Sequence, residues 1–412
     1  MNQTLQAGAL AGVRVLDLSR ILAGPWAGQL LADLGADVVK VERPGVGDDT
    51  RTWGPPWLND PHGRSTGESA YYLSANRNKR SVTIDLGRPE GQSLVRQLAS
   101  KADVLLENFK VDGLAQYGLD YPALKAINPR LVYCSITGFG QTGPYASRAG
   151  YDFLIQGIGG LMSLTGRADG TEGAGPLKAG VALTDIMTGL YATVAVLAAL
   201  KHREQSGEGQ YIDLALLDVQ IACLANQATN YLVSGVAPVR MGNAHPNIVP
   251  YQEFPTADGH MIVAVGNDNQ FASLCKTLGT PEWSADERFA TNPQRIKHRG
   301  ELVALIQSAT VDRSTDEWVA AMEAAGVPCG PINTLDRVFS DPHVQARHTR
   351  VRMPHPLAKD VPLVANPIRL SESPVQYRNA PPTLGQHTEE VLSDWLAVSS
   401  ADIEGLRESR AI

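Results

Sequence analysis

Two short apolar runs near the start of the chain, VRVLDL (13–18) and DVVKVE (37–42), flank a segment, Ala23–Leu34, of helical character. Runs this apolar are strands buried on both faces rather than half-exposed ones. A helix between two such strands carries the chain back so that they pair in parallel. This βαβ unit constrains the fold more than any other feature, because a parallel sheet needs helices on both of its faces. The pattern then recurs. SVTIDL (81–86) is followed by a helix with Pro89 in its first turn, ADVLLENF (102–109) is the next strand, and a short helix leads to LVYCSIT (131–137). The expected class is α/β, with a Rossmann-like large domain built on a parallel sheet.

The texture changes at Leu183. Leu183–His202 reads as a long helix, apolar nearly all round and therefore buried on several sides. SGEG (206–209) ends it, and Tyr211–Val233 reads as a second long helix. YQEFPT and HMIVAVG then flank Ala257-Asp258-Gly259, a hairpin signal. Helices are expected at about 268–278, 299–310 and 315–325, the last opened by a capping box, Ser314 to Glu317, and stopped at Gly326. The remainder is Pro-rich and irregular until a helix after His387. The expected domains are a large one beginning at 1–205, a linker helix at 206–240, a smaller α+β domain at 241–340, a return linker at 341–371, and the C-terminal part of the large domain at 372–412.

A length of 412 residues fits two domains better than one or four. With 43% hydrophobic and 19% charged residues the chain is not disordered. Its 36 basic and 43 acidic residues leave a net charge of −7, which argues against nucleic-acid or anionic-membrane partners but leaves room for a local basic pocket. The four cysteines, at 134, 223, 275 and 329, form no CxxC pair, so neither a metal centre nor a disulfide framework is expected. MNQTLQAGALAGVRV has neither a signal-peptide nor a transit-peptide pattern, and the expected compartment is the cytoplasm. The apolar run Ile186–Leu200 is shorter than the about 20 residues that span a bilayer, so it is expected to be a helix buried in protein.

GFGQTG (138–143) follows a strand and matches GxGxxG, the dinucleotide fingerprint. That fingerprint must open a helix, yet Pro144 and the polar YASRAG follow, and no acidic strand end lies about 20 residues on. A glycine turn at the sheet edge is expected, with no NAD. Asp185 falls in the first turn of the long apolar helix, where the helix dipole favours a carboxylate by about 0.3–1 kcal/mol. That placement suits an ionised carboxylate nucleophile, and equally an ordinary helix-end partner. Lys40 and Arg43 follow the second strand, and Arg77, Lys79 and Arg80 lie in NRNKRS. Such clusters bind phosphates when they sit in loops, and are otherwise solvated surface charge.

Seven stretches together carry a wider likeness: LAGVRVLDLSRILAGPWAGQLLADLGADVVKVERPGVGDDTR, NRNKRSVTIDL, ADVLLENF, SITGFGQTGP, AGYDFLIQ, ALTDIMTGLYA and LGQHTEEVL. In this order, over Leu10–Leu392, the chain resembles the class III CoA-transferases, also called the carnitine dehydratase/bile-acid-inducible type. The resemblance implies coenzyme A as acyl-CoA substrate and product, no metal, and an interlocked homodimer. It places Asp185 on the catalytic aspartate. It implies CoA contacts at Leu22, Ala23, Arg43, Ile84, Asp85, Leu86, Gly87, Asn108, Phe109, Lys110, Tyr151 and Asp152. Leu22 stands where some relatives have Gln, and Gln116 where some have a phosphate-binding Arg.

The racemase branch of the same family carries His where this chain has Tyr151. Moving an α-proton on both faces needs two acid/base groups, and a phenol, with an ordinary pKa of about 10, is a poor base at neutral pH. Transfer is therefore expected over 2-methylacyl-CoA racemisation. VERPGVGDDTRTWGPPW, NRNKRS, YCSITGFGQTGPYASRAGYD and GNAHPNIVPYQEF are similar to members that use succinyl-CoA and glutarate. The last replaces the glycine-rich loop of the formyl-CoA members, and its His245 is a candidate to help close the pocket, or a surface-loop residue. Arg20, Arg51 and Arg148 are candidates to pair with the far carboxylate of a dicarboxylic acid.

Overall fold

The computed structural model describes residues 7–412; residues 1–6, part of the segment read above as lacking a presequence, lie outside it. The chain divides into two units. The first holds the chain up to Leu161, Ala179–Val233 and Gln345–Ile412; the second holds Met162–Lys178 and Ser234–Val344.

The first unit is built on six parallel strands: β1 (Arg14–Asp17), β2 (Asp37–Glu42), β3 (Lys79–Thr83), β4 (Val104–Glu107), β5 (Val132–Thr137) and β6 (Tyr211–Ala215). Their order is β3-β2-β1-β4-β5-β6. Helices α1 (Ala23–Asp33), α2 (Pro89–Lys101), α3 (Tyr121–Ile127), α4 (Asp152–Ile158) and α5 (Leu183–Ser206) follow in chain order. Two apolar cores cover the sheet. One joins Leu16, Val39 and Leu105 to Leu94 and Leu98 of α2 and to Trp395 near the C-terminus. The other joins Val15, Val38 and Val104 to Ala27 and Leu31 of α1 and to Ala192 and Val196 of α5. The strand order reverses between β1 and β4, and ligands of open α/β sheets bind in the crevice at such a point, beyond the C-terminal strand ends.

Three expectations are corrected here. Tyr211–Val233 is not one helix. Tyr211–Ala215 is edge strand β6, pairing with Tyr133–Thr137, and helices Leu216–Ala222 and Ala225–Ser234 follow. Tyr, Ile and Leu in that strand suit a pleated edge, and the apolar residues after it blur the boundary. The third strand begins at Lys79, not Ser81, so of the NRNKRS cations Lys79 and Arg80 are strand residues and only Arg77 lies in the turn before it. Arg350–His355 and Ala358–Val364 form an antiparallel hairpin inside the stretch read as irregular.

Helix α5 is longer than its apolar run. Its 24 residues are long and apolar enough to cross a membrane by length and composition. Here it is instead the crossover between β5 and β6, packed on α1: a methyl group added at Gly189 would stand 2.8 Å from the Ala23 carbonyl oxygen. Gly207 ends it in the left-handed conformation, φ 77°. Only one face is buried, through residues such as Thr188, Gly189, Ala192 and Val196; Tyr191 and Val194 are 44% and 65% exposed. The expected burial on several sides is not met within this chain.

In the second unit Tyr251–Pro255, His260–Ala264 and Cys329–Pro331 form a three-stranded antiparallel sheet. It packs with Phe271, Leu302, Trp318 and Met322. The capping box of Ser314 and Glu317 opens Thr315–Ala324.

Candidate active site

The C-terminal ends of β1 and β4 meet at the strand-order reversal through one two-point clamp. The Arg20 backbone N–H donates to the Asn108 side-chain oxygen at 2.9 Å, and the Asn108 side-chain nitrogen donates to the Arg20 carbonyl at 2.7 Å. The next residue, Ile21, has φ 71°, a conformation that β-branched residues rarely adopt. Its N–H donates to the Asp48 carboxylate at 3.2 and 3.3 Å, and Lys40 Nζ joins Asp48 to the Ser19 carbonyl at 2.8 Å each. Burial opposes ionisation of Asp48, but the Lys40 charge prevails and holds its carboxyl at about 2. The turn before α1 is thus gripped from both sides.

Two cavities open at this edge. One, of about 410 Å³, is lined by Arg43, Ile84, Asp85, Leu86 and Gly87. The other, of about 370 Å³, is lined by Leu22, Ala23, Asn108, Lys110, Gln116, Arg148, Tyr151 and Asp185. Arg20, Phe109 and Tyr117 line both, so the two form one continuous groove. Arg43 is exposed at its wall and makes no ion pair among the described residues. It is therefore free to meet an anionic group.

Asp185 lies in the first turn of α5. Its carboxylate makes no hydrogen bond or ion pair among the described residues. The dipole argument predicts a fully ionised group, and the structure corrects this. Burial, and then the charge of Asp152, push the Asp185 carboxyl up to about 7. Asp152 does not line the groove. It accepts from Gln156 Nε2 at 2.6 Å and from the Thr184 N–H at 3.3 Å, and so closes the N-terminal end of α5. Buried Gln156 also takes the Ala179 N–H at 2.9 Å, and Thr184 Oγ1 donates to Gln220 at 2.6 Å.

Two sequence expectations separate from the groove. Arg51 is 8% exposed; it meets both Glu42 oxygens at 2.8 Å and Glu68 at 3.3 Å, and stacks on Tyr72. Its charge is spent inside the protein. The NRNKRS cations are spent likewise: Arg77 on Asp33 at 2.6 Å, Lys79 on Asp17 at 2.9 Å, Arg80 on Asp37 at 2.5 Å. Lys40 lines the groove but is fully buried, its charge held by Asp48. His245 belongs to the second unit, where its ring packs against Tyr251 at 5.3 Å. The sequence also passed over Tyr71. Burial, and then the nearby charges of Asp185 and Asp152, push its phenol up to about 12, and Trp53 packs edge-on to it at 5.1 Å. Only a contact map finds such a residue, because Tyr71 carries no local motif.

GFGQTG serves the backbone. A methyl group at Gly138 would stand 2.5 Å from the Gly150 Cα, so the two glycines let the loop close on its own neck. No helix opens until Asp152. Among the described residues no group of three or more His, Cys, Asp or Glu side chains is placed to hold a metal ion.

A Rossmann-like sheet with an unpartnered carboxylate in a groove at its strand-order reversal has the build of an α/β enzyme. The chain matches CoA-transferase family III over residues 10–388 and belongs to that family; its substrates are CoA thioesters. It is 54% identical to a succinate–glutarate CoA-transferase of Agrobacterium fabrum over 93% of this chain and 95% of that one. It is 43% identical to the human succinyl-CoA:glutarate CoA-transferase, over 94% of this chain and 86% of that one. A crystal structure of a CAIB/BAIF family protein from Brucella suis is 51% identical and superimposes with a TM-score of 0.83, covering 95% of this chain and all of that one.

Proposed function

We propose that this CoA-transferase moves CoA from succinyl-CoA to a small dicarboxylate, glutarate foremost, through Asp185. The observation that carries the reading is a carboxylate without a partner, in a groove whose other end presents Arg43. The relatives named for succinate and glutarate supply the acids to try first.

Asp185 attacks the succinyl thioester carbonyl; the C–S bond breaks, and CoA leaves as thiolate. The mixed anhydride is then attacked at the Asp185 carbonyl carbon by that thiolate, releasing succinate and leaving an aspartyl-CoA thioester. Glutarate attacks the same carbon and displaces the thiolate again, giving an aspartyl-glutaryl anhydride. The thiolate attacks its glutaryl carbonyl, forms glutaryl-CoA and frees Asp185. Each step exchanges one acyl bond for another, so thioester energy is retained. Exclusion of water protects both intermediates. Racemisation is not favoured, because Tyr151 offers no imidazole as second base.

The exposed apolar face of α5, with Leu190, Tyr191 and Val194, favours association of two copies. The working compartment of this reading is the cytoplasm. Asp185→Ala abolishes transfer while CoA still binds, and hydroxylamine added with succinyl-CoA leaves a hydroxamate on Asp185 of the wild type. Transfer that survives in Asp185→Ala overturns the mechanism. Sedimentation at micromolar concentration reads the association, and a monomer there overturns it.

A further inference from the structure

The loop from Gly138 to Gly150 is a compact unit of its own. Its neck is the backbone contact of those two glycines, too close for a side chain on either. Inside it, Phe139 and Tyr145 pack edge to face at 5.7 Å, and the Arg148 N–H donates to the Tyr145 carbonyl at 2.9 Å. Loops packed by their own side chains in this way hold a defined shape.

Arg148 is the charged group this loop presents. Its guanidinium carbon lies 4.5 Å from the Tyr145 ring centre and 5.1 Å from that of Phe139. It makes no ion pair among the described residues and lines the cavity that holds Asp185. Of the other two candidate arginines, Arg51 is committed to Glu42 and Glu68 in the interior, whereas Arg20, which also lines the cavity, pairs at the exposed surface with Asp49 at 3.2 Å and lies farther, 5.7 Å, from its Phe109 ring. Rings that take the face of a guanidinium fix its plane and leave its N–H edge open, and that edge matches the two oxygens of a carboxylate.

We propose that Arg148 receives the far carboxylate of the acceptor acid, and so makes the site prefer a dicarboxylate to a monocarboxylate of the same length. This rests on the CoA-transfer reading above. The end that reacts goes to Asp185, and the end that does not goes to the guanidinium edge. Lys110, in the same cavity, is a cation without a ring platform and offers a point charge rather than a fork.

The test compares glutarate with pentanoate as acceptors, with succinyl-CoA fixed. The two acids share a chain length and differ at one end. The ratio of their kcat/KM values cancels donor binding and any loss of folded protein. In Arg148→Met this ratio falls at least tenfold, and Arg148→Lys keeps part of the preference. Transfer to both acids with an unchanged ratio in Arg148→Met overturns the proposal and leaves the CoA-transferase reading standing. A wild type that transfers CoA to neither acid overturns that reading, and the proposal with it.

Discussion

The carboxylate of Asp152 accepts the backbone N–H of Thr184, the residue immediately before the proposed nucleophile Asp185, at 3.3 Å. Asp152 thereby supports the first turn of α5 and sets a negative charge beside Asp185. After burial, that charge is the second cause of a carboxyl held at about 7. Only ionised Asp185 attacks a thioester, so kcat/KM falls as pH drops below about 7. Asp152→Asn keeps an oxygen for Thr184 and removes the charge. Its acid limb moves to lower pH, by about half a unit to one unit. A pH–rate profile of the two proteins checks this; coincident limbs refute it.

The same shift has a stability consequence of definite sign. The folded protein holds Asp185 protonated up to about 7, whereas the unfolded chain ionises it near 3.8. Between those values the folded state binds the extra proton, so this group's contribution to stability falls as pH rises through that window. Asp185→Asn is permanently neutral. It equals the wild type near pH 4 and exceeds it at pH 8 by about 2–4 kcal/mol. Urea unfolding at the two pH values reads the difference.

Arg51→Met removes the partner of a buried carboxylate, Glu42. Stranding such a charge costs about 3–5 kcal/mol. The variant is expected to unfold at markedly lower urea while keeping the wild-type ratio of glutarate to pentanoate turnover. A selective loss with glutarate would return Arg51 to the acid site.

Gly189→Ala places a methyl group 2.8 Å from the Ala23 carbonyl oxygen and 3.0 Å from the Trp26 side chain. Relief requires α1 and α5 to move apart. Overpacking of this kind costs about 1–3 kcal/mol. Because Leu22 and Ala23 line the Asp185 cavity, kcat is expected to fall more than tenfold. Thermal unfolding and initial rates, measured together, check it.

The parallel sheet was readable because β1, β2, β4 and β5 are near-continuous apolar runs. β6 was not, because Tyr211–Ala215 runs directly into helix-forming residues with no turn between them. Asp185 stood out by its position at a helix start, but its titration did not, since burial and Asp152 act across the fold. The NRNKRS cations misled for a related reason. Lys79 and Asp17 are far apart in sequence and meet only when β3 and β1 lie in one sheet. Arg148 and Arg51 look alike as letters. They differ because one meets aromatic rings at the groove and the other meets carboxylates in the interior.

The chain passes between its two units four times, after Leu161, Lys178, Val233 and Val344. Recombination therefore cannot trade the second unit as one cassette. A splice that exchanges 234–344 leaves 162–178 behind from the old parent, and a splice that takes both must also cut a few residues before Asp185. Descent by gradual substitution is the open route for such a gene, and chimeras among relatives are expected to work when the crossover falls at a chain end rather than at a unit boundary.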